Sequence, residues 1–288
     1  MPYDPAMDIA RPDLKQKKKK RRQRIVWIGV SVVLAVAVFL VVRSEKSRHI
    51  RQYVTLKHES RAIKALVVLP KAKNKTSVVI LVHEIYGLSD WAKEMADELA
   101  DEGFIVVAPD LLSGHGPSGG GYSDFGGQDD RMRAVSGLDP DGVLADLDAA
   151  ADFGKKLPMA NGKIAVVGFS WGGWKSFAFA THRKDLKAVF VFYGTGPEDV
   201  TAITAPVYGF YAGDDGGVDV TIPATVDAMK AANKIYEPVT YEGAEHGFMR
   251  LGEDRNNKVP ANKIAHDQAF ARLVKLLREM EPTEGAAH

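Results

Sequence analysis

The strongest constraint on the fold of this 288-residue chain is the stretch Lys163–Trp174, KIAVVGFSWGGW. Branched apolar residues, typical of a buried strand, lead directly into the turn GFSWG, and a segment compatible with a helix follows. A serine on such a turn has its hydroxyl pushed clear of the backbone, and glycines two residues before and after it avoid collisions. The stretch predicts a nucleophile elbow at Ser170, against the alternative of a glycine-rich turn with an incidental serine.

Strands and helices alternate along the chain after residue 52. Two alternating segments around a polar turn at 59–61 predict an antiparallel hairpin. Further strands are predicted at 78–82, 104–108, 164–167, 188–193, 207–211 and 238–241, and helices at 90–101, 141–156, 221–234 and 262–279. The segment 112–127 is rich in glycine and serine and predicts a loop at the rim of an active site. This order predicts an α/β domain over 52–280, with a mostly parallel sheet covered by helices on both faces.

A basic block and an uncharged apolar run precede this domain. Eight lysines and arginines lie between residues 15 and 24, and residues 25–42 carry no charge. Eighteen residues rise about 27 Å as a helix, close to the thickness of the hydrocarbon core of a bilayer. We interpret 25–42 as a transmembrane signal-anchor helix that contacts the lipid bilayer. A cleaved signal peptide and a buried soluble helix are the alternatives.

Charge also predicts the orientation of this run and excludes several functions. The heavier basic cluster is N-terminal, which predicts that 1–24 is cytoplasmic and that the main domain lies outside the cytoplasm. A basic block beside an apolar run favours anionic lipid over nucleic acid, and the net charge is only +1. The chain has no cysteine, which excludes a thiol nucleophile. Residues 43–51 are predicted to be a connector and 281–288 a polar tail.

A nucleophilic serine needs a base, and the base needs an acid that orients it. Among the eight histidines, His246 is our candidate for the base, because it lies in the loop after the strand predicted at 238–241, at the sheet edge where open α/β proteins bind ligands. Asp214 and Asp215 follow the strand at 207–211 toward the same edge. We predict Asp215 as the acid, with Asp214 as the alternative. The order Ser170, Asp215, His246 is that of the α/β-hydrolase arrangement.

Two backbone N–H groups are candidates for an oxyanion hole. One belongs to Trp171, directly after the predicted nucleophile, and the other to Ile85, in the loop after the strand at 78–82. The sequence predicts no metal and no cofactor. HEIYG at 83–87 lacks the second histidine of a zinc motif, and GHGPSG at 114–119 contains a proline where a nucleotide-binding helix has to begin.

Four separated motifs resemble the dienelactone hydrolase family. They are HEIYG at 83–87, GFSWGG at 168–173, GDD at 213–215 and EHGF at 245–248. The resemblance covers about residues 53–280. It implies an α/β-hydrolase fold of about eight strands with little or no cap domain, and hydrolysis of esters or lactones without a cofactor.

The chain departs from the family at its nucleophile, since the family has cysteine where this chain has Ser170. In the family, the glutamate that matches Glu84 hydrogen-bonds the resting thiol. With serine, we expect Glu84 to support the elbow or the oxyanion loop, or to be a buried carboxylate satisfied by neighbouring N–H groups. The resemblance also implies that Arg250 contacts a substrate carboxylate, against the alternative of a surface arginine. Tyr86 is a second candidate for substrate contact.

Together these patterns predict a membrane-anchored serine hydrolase that cleaves a small ester or lactone through an acyl-enzyme. A peptidase or thioesterase on the same scaffold is the alternative among enzymes, because a triad does not determine the leaving group. A surface binding protein that keeps the fold without turnover is the alternative from another class.

Overall fold

Eight strands form one sheet in the computed structural model, which describes residues 49–58, 61–71 and 74–281. The strands are β1 His49–His58, β2 Arg61–Pro70, β3 Thr76–Val82, β4 Ile105–Pro109, β5 Ala160–Phe169, β6 Leu186–Phe192, β7 Val207–Asp214 and β8 Tyr236–Glu245. Their spatial order is β1-β2-β4-β3-β5-β6-β7-β8. β2 runs antiparallel to β1 and β4, whereas the remaining neighbours are parallel. The predicted hairpin and the mostly parallel sheet are therefore confirmed.

Helices cover both faces of this sheet. In the described part of the chain they are α1 Asp90–Asp101, α2 Gln128–Ser136, α3 Pro140–Lys155, α4 Trp171–His182, α5 Gly216–Asp219, α6 Ile222–Ala231, α7 Phe248–Leu251 and α8 Pro260–Glu279. α3, α4 and α6 pack apolar residues such as Leu147 and Phe177 into one core. α1 and α8 pack Met95 and Leu273 into the other. Because both faces are covered, the central strand β3 is buried along its whole length.

Local sequence signals determine where two of the long helices begin. The Ser89 side chain accepts a hydrogen bond from the Ala92 N–H at the start of α1. At the start of α3, the Asp139 side chain accepts a hydrogen bond from the Gly142 N–H, and a proline occupies the first turn. α4 begins directly after β5, so the predicted strand–turn–helix order around Ser170 is confirmed.

Several element boundaries differ from those expected from the sequence. β1 begins at His49, so the end of the predicted connector at 43–51 belongs to the sheet. α2 was not predicted, because its sequence QDDRMRAVS is polar and buries only Val135. The helix predicted at 221–234 is present as α6, which ends three residues earlier at Ala231, and the short α5 before it was not predicted.

The predicted polar tail begins with a residue that belongs to the fold. Glu281 accepts hydrogen bonds from the Ser77 N–H at 2.9 Å and from Asn161 Nδ2 at 2.8 Å. These partners lie near the starts of β3 and β5, so this carboxylate links two neighbouring strands. The boundary predicted at 281 is therefore too early by at least one residue.

The predicted membrane span at 25–42 lies outside the described residues. Within residues 49–58, 61–71 and 74–281, no helix is both long enough and apolar enough to cross a bilayer.

Candidate active site

The backbone at Ser170 has an unusual conformation. This residue separates β5 from α4 and has φ 55° and ψ −117°. Residues other than glycine rarely adopt a positive φ, and such strain is typical of a nucleophile held on a sharp turn. The Ser170 N–H donates to the Phe192 carbonyl at 2.9 Å, which fixes the turn against the end of β6.

The glycines on either side of Ser170 allow close backbone contacts. A Cβ atom on Gly168 would lie 2.0 Å from the Gly172 carbonyl oxygen. One on Gly172 would lie 2.4 Å from the carbonyl oxygen of His83, which follows β3. The collisions expected from the sequence are thus present in the structure. They also show that the first turn of α4 touches the end of β3.

Ser170, His246 and Asp215 form a continuous chain of hydrogen bonds. Ser170 Oγ lies 2.8 Å from His246 Nε2, and His246 Nδ1 lies 2.6 Å from Asp215 Oδ2. The Asp215 side chain is 11% exposed, whereas His246 is 44% exposed at the open face of the site. Asp214 is the last residue of β7 and is exposed. Of the two candidate acids, the structure therefore brings Asp215, and not Asp214, into hydrogen-bond contact with His246.

The two predicted oxyanion donors lie at the carboxyl ends of neighbouring strands. Ile85 follows β3 and Trp171 follows β5, and Val82 pairs with Gly168 at the last step of this ladder. Neither N–H group donates to another of the described residues. The Trp171 N–H is free because the first N–H groups of a helix have no partner within the helix. Both groups therefore lack a hydrogen-bond acceptor within the described part of the chain.

Glu84 is buried beside this loop and has two side-chain partners. Its Oε2 accepts from Arg250 Nε at 3.0 Å, and its Oε1 accepts from the Tyr193 hydroxyl at 3.3 Å. Burial raises the pKa of Glu84, and the Arg250 charge partly offsets this effect. Glu84 forms no hydrogen bond with Ser170. The carboxylate is therefore buried and accepts from a neighbouring N–H group, as one alternative predicted, and it also accepts from the Tyr193 hydroxyl.

The two predicted substrate contacts lie against each other. The Arg250 guanidinium is 5.0 Å from the centre of the Tyr86 ring, in a cation–π arrangement. Its side chain is 34% exposed. Arg250 is therefore not an isolated surface arginine, although a third of its side chain remains exposed to solvent.

A cleft of about 500 Å³ lies beside the oxyanion loop. Its walls carry two tyrosines, smaller apolar groups and two lysines: Tyr53, Val54, Thr55, Lys64, Ala65, Leu88, Lys93, Asp110, Tyr122 and Ser123. The Tyr122 ring packs on the loop so closely that a Cβ atom on Gly87 would lie 2.9 Å from it. Sequence reasoning missed this cleft, since its walls come from the hairpin, α1 and the glycine-rich segment together.

Three potential metal ligands come together elsewhere in the described part of the chain. Side-chain ligand atoms of Glu98, Glu253 and His266 all lie within 4.8 Å of one another. Burial and the neighbouring Glu253 carboxylate raise the pKa of Glu98 to about 7. The residues come from three separate segments, so no spacing motif could reveal this cluster. It shares no residue with the chain of bonds at Ser170.

Comparisons with known proteins agree with this geometry. The sequence profile of the dienelactone hydrolase family matches residues 63–281. A relative from Salmonella typhi, provisionally named a carboxymethylenebutenolidase, is 32% identical over 194 residues, which cover 62% of this chain and 70% of the relative. The Pseudomonas putida carboxymethylenebutenolidase is 28% identical over 67% of this chain and 83% of its own length.

Solved structures show the same fold. A structure from Klebsiella pneumoniae, provisionally described as a dienelactone hydrolase, has a TM-score of 0.69 and 24% sequence identity. The match covers 80% of this chain and 99% of the other. The α/β-hydrolase fold expected from the sequence is confirmed.

Proposed function

Because this chain belongs to the dienelactone hydrolase family, we propose that it is a serine hydrolase that cleaves a carboxylic ester or lactone through an acyl-enzyme. The chain of hydrogen bonds from Ser170 through His246 to Asp215 carries this proposal. A base within hydrogen-bond reach of a hydroxyl, itself oriented by an acid, is the arrangement that activates a serine.

In the proposed reaction, His246 Nε2 takes the Ser170 proton while Oγ attacks the carbonyl carbon of the ester. Asp215 accepts a hydrogen bond from His246 Nδ1–H and stabilises the imidazolium that forms. The N–H groups of Ile85 and Trp171 bind the carbonyl oxygen as it becomes negative. His246 then gives the proton to the leaving alcohol, and water releases the acyl group by the same steps.

With serine as the nucleophile, we expect Glu84 to have a different role from the matching glutamate of the cysteine enzymes. A serine hydroxyl cannot be stored as an alkoxide at neutral pH, so its proton leaves only during the attack. A glutamate that deprotonates the nucleophile before the substrate binds therefore has no function here. The hydrogen bonds of Glu84 to Arg250 and Tyr193 support a structural task instead, namely holding the loops after β3, β6 and β8 together.

The cleft beside the oxyanion loop supports a substrate with an extended apolar or aromatic part. Its volume lies within the usual range for ligand sites. Leu88 lines the cleft and is three residues from Ile85, so their Cα atoms are at most about 11 Å apart. We propose that an ester with its carbonyl at Ile85 extends its acyl or alcohol part toward this cleft. Lys64 adds a cationic group to the wall of the cleft, whereas Lys93 is paired with Asp90.

We also propose that residues 25–42 anchor the enzyme to a membrane. The support is the uncharged run of eighteen residues after a basic block. Carbonate extraction of membranes from cells that express the full chain tests this proposal. An anchored protein stays in the pellet, and deletion of 1–42 moves it to the supernatant; release of the full chain by carbonate would contradict the anchor.

Labelling with a fluorophosphonate, followed by mass spectrometry of the modified peptide, tests the catalytic proposal. We expect modification at Ser170 and loss of esterase activity in proportion to labelling. Ser170→Ala, checked for folding by circular dichroism, should show neither. Retained turnover in Ser170→Ala would exclude the mechanism, and an unlabelled Ser170 would favour a binding protein. Matched oxyester, thioester and anilide substrates distinguish an esterase from a thioesterase or peptidase.

A further inference from the structure

His83 lies at the end of β3, fully buried between the two halves of the predicted oxyanion hole. Its Nδ1 atom is 2.7 Å from the carbonyl oxygen of Glu84. A carbonyl can only accept, so Nδ1 carries the proton and donates. The same carbonyl accepts a second hydrogen bond from the Gly87 N–H at 3.0 Å. Two donors therefore fix the direction of this carbonyl group.

That carbonyl belongs to the same peptide unit as the Ile85 N–H. A trans peptide is planar, and its C=O and N–H bonds point in opposite directions. A side chain that holds the Glu84 oxygen on one side thus aims the Ile85 hydrogen toward the other side. Rotation of this peptide would turn the donor away from its target and break the His83 hydrogen bond at the same time.

His83 also contacts the residue that carries the other donor. Its ring stacks on the Trp171 indole, with 5.8 Å between ring centroids and 11° between the planes. The His83 carbonyl lies against Gly172, the next residue of α4. One residue therefore touches both peptide segments that are predicted to bind the oxyanion, although they lie 86 positions apart in the chain.

We propose that His83 is a positioning residue that holds the Ile85 and Trp171 N–H groups in register for the oxyanion. It acts as a neutral imidazole, donating from Nδ1 to the Glu84 carbonyl and packing its face on Trp171. This inference rests on the proposed serine hydrolase function. It adds a residue outside the Ser170–His246–Asp215 set that determines how well the transition state is bound.

Burial supports the neutral form of this histidine. Loss of solvation lowers the pKa of His83, and hydrogen bonding to the Glu84 carbonyl opposes this only in part. Nε2 is buried and has no hydrogen-bond partner among the described residues. Replacement of the ring by a phenyl group therefore removes the Nδ1 hydrogen bond and no other hydrogen bond of this side chain.

Two substitutions separate the two contacts of His83. His83→Phe keeps a flat ring for Trp171 but has no donor for the Glu84 carbonyl. His83→Asn has an amide donor near the position of Nδ1 but no ring. For His83→Phe we expect kcat on an activated ester to fall about 10- to 100-fold, less than the loss of a whole oxyanion donor. KM should change less than 3-fold. For His83→Asn we expect kcat between those of His83→Phe and the wild type.

An arylboronate inhibitor provides a readout that simple loss of packing does not move. It forms a tetrahedral adduct on serine and places an oxygen in the oxyanion hole, so its inhibition constant should rise in parallel with the fall in kcat. Unchanged kcat in His83→Phe would overturn the inference. So would an unchanged boronate constant, or a loss of kcat in both variants that follows only their fall in Tm. Fluorophosphonate labelling of the wild type is the separate check, since an unlabelled Ser170 refutes the proposed function itself.

Discussion

Arg250 Nε donates to Glu84 Oε2 at 3.0 Å, across 166 residues of sequence. The bond joins the segment after β8, which carries His246, to the oxyanion loop after β3. The Glu84 side chain is only 4% exposed. A buried carboxylate that loses its cation keeps its desolvation penalty without compensation, so this pair is more sensitive to the loss of one partner than to the loss of both.

We therefore predict that Arg250→Met lowers the free energy of unfolding by about 3 kcal/mol, the lower part of the range for a broken buried pair, because Arg250 is one-third exposed. The double variant Glu84→Gln/Arg250→Met should recover more than half of this loss, since a neutral amide needs no cation. Urea denaturation of both variants and of Glu84→Gln measures the effect. A double variant as unstable as Arg250→Met alone would show that the ion pair is not the cause.

The two adjacent aspartates at the end of β7 provide a matched comparison. Only Asp215 bonds His246, so Asp215→Asn should lower kcat by about 10⁴-fold, the loss found for this role in a serine triad. Asp214→Asn changes the same charge one residue away and should lower kcat less than 5-fold. Steady-state kinetics on one activated ester measures both. Equal losses in the two variants would contradict the assignment of Asp215.

The predictable part of the site consists of residues whose signals are local. Ser170 is marked by glycines within two positions, and Asp215 and His246 each follow a strand that its own composition reveals. The carboxyl ends of parallel strands share one edge, so three local signals are enough to place three side chains together. The antiparallel hairpin and six further strands followed from the same kind of short-range pattern.

What escaped prediction depends on contacts between distant segments. The partner of Arg250 is 166 positions away, and Glu281 bonds Ser77 from 204 positions away. α2 carries too few apolar residues for a periodic pattern to show, and its position is determined by tertiary contacts of Val135. The positive φ of Tyr193, 37°, likewise has no signal in a residue type that usually avoids it.

The strained conformation of Ser170 has a consequence for stability. A residue held at φ 55° and ψ −117° costs about 1–3 kcal/mol, and glycine avoids most of this penalty. Ser170→Gly should therefore have a free energy of unfolding about 1–2 kcal/mol above that of Ser170→Ala, although we expect both variants to be inactive. Urea denaturation of the two variants measures the difference. Equal stability would mean that the turn relaxes when the hydroxyl is removed.

The cleft beside the oxyanion loop is tested by a residue remote from the reaction. Tyr53 is 67% exposed on β1, so its replacement does not disturb the core. For Tyr53→Ala we expect KM to rise about 3- to 10-fold for esters with a large aromatic group, equivalent to the loss of about 1 kcal/mol of apolar contact. KM for an acetate ester with a small alcohol should not change. Exposed Ile50 on the same strand is a control, because Ile50→Ala removes an apolar side chain outside the cleft.

The Glu98 carboxyl makes stability depend on pH near neutrality. Its pKa rises from 4.5 to about 7 on folding, chiefly through burial and then through Glu253. A raised pKa means that the folded state prefers the protonated acid. The wild type therefore loses stability as the pH rises from 4.5 through 7, where the folded protein must ionise a poorly solvated group. His266, whose Nε2 lies 3.0 Å from Glu253 Oε1, is present both in the wild type and in the Glu98→Gln variant.

Glu98→Gln should remove this dependence, because its amide mimics the protonated acid. We expect the variant to exceed the wild type by about 1–2 kcal/mol at pH 8 and by close to nothing at pH 4, a value reduced for the partial exposure of the site. Urea denaturation at several pH values measures the difference. Glu242→Gln, at an exposed position of β8 that does not contribute to the raised pKa of Glu98, is the control for loss of one negative charge. A stability difference that is constant with pH, or the same in both variants, would show that Glu98 does not titrate in this range.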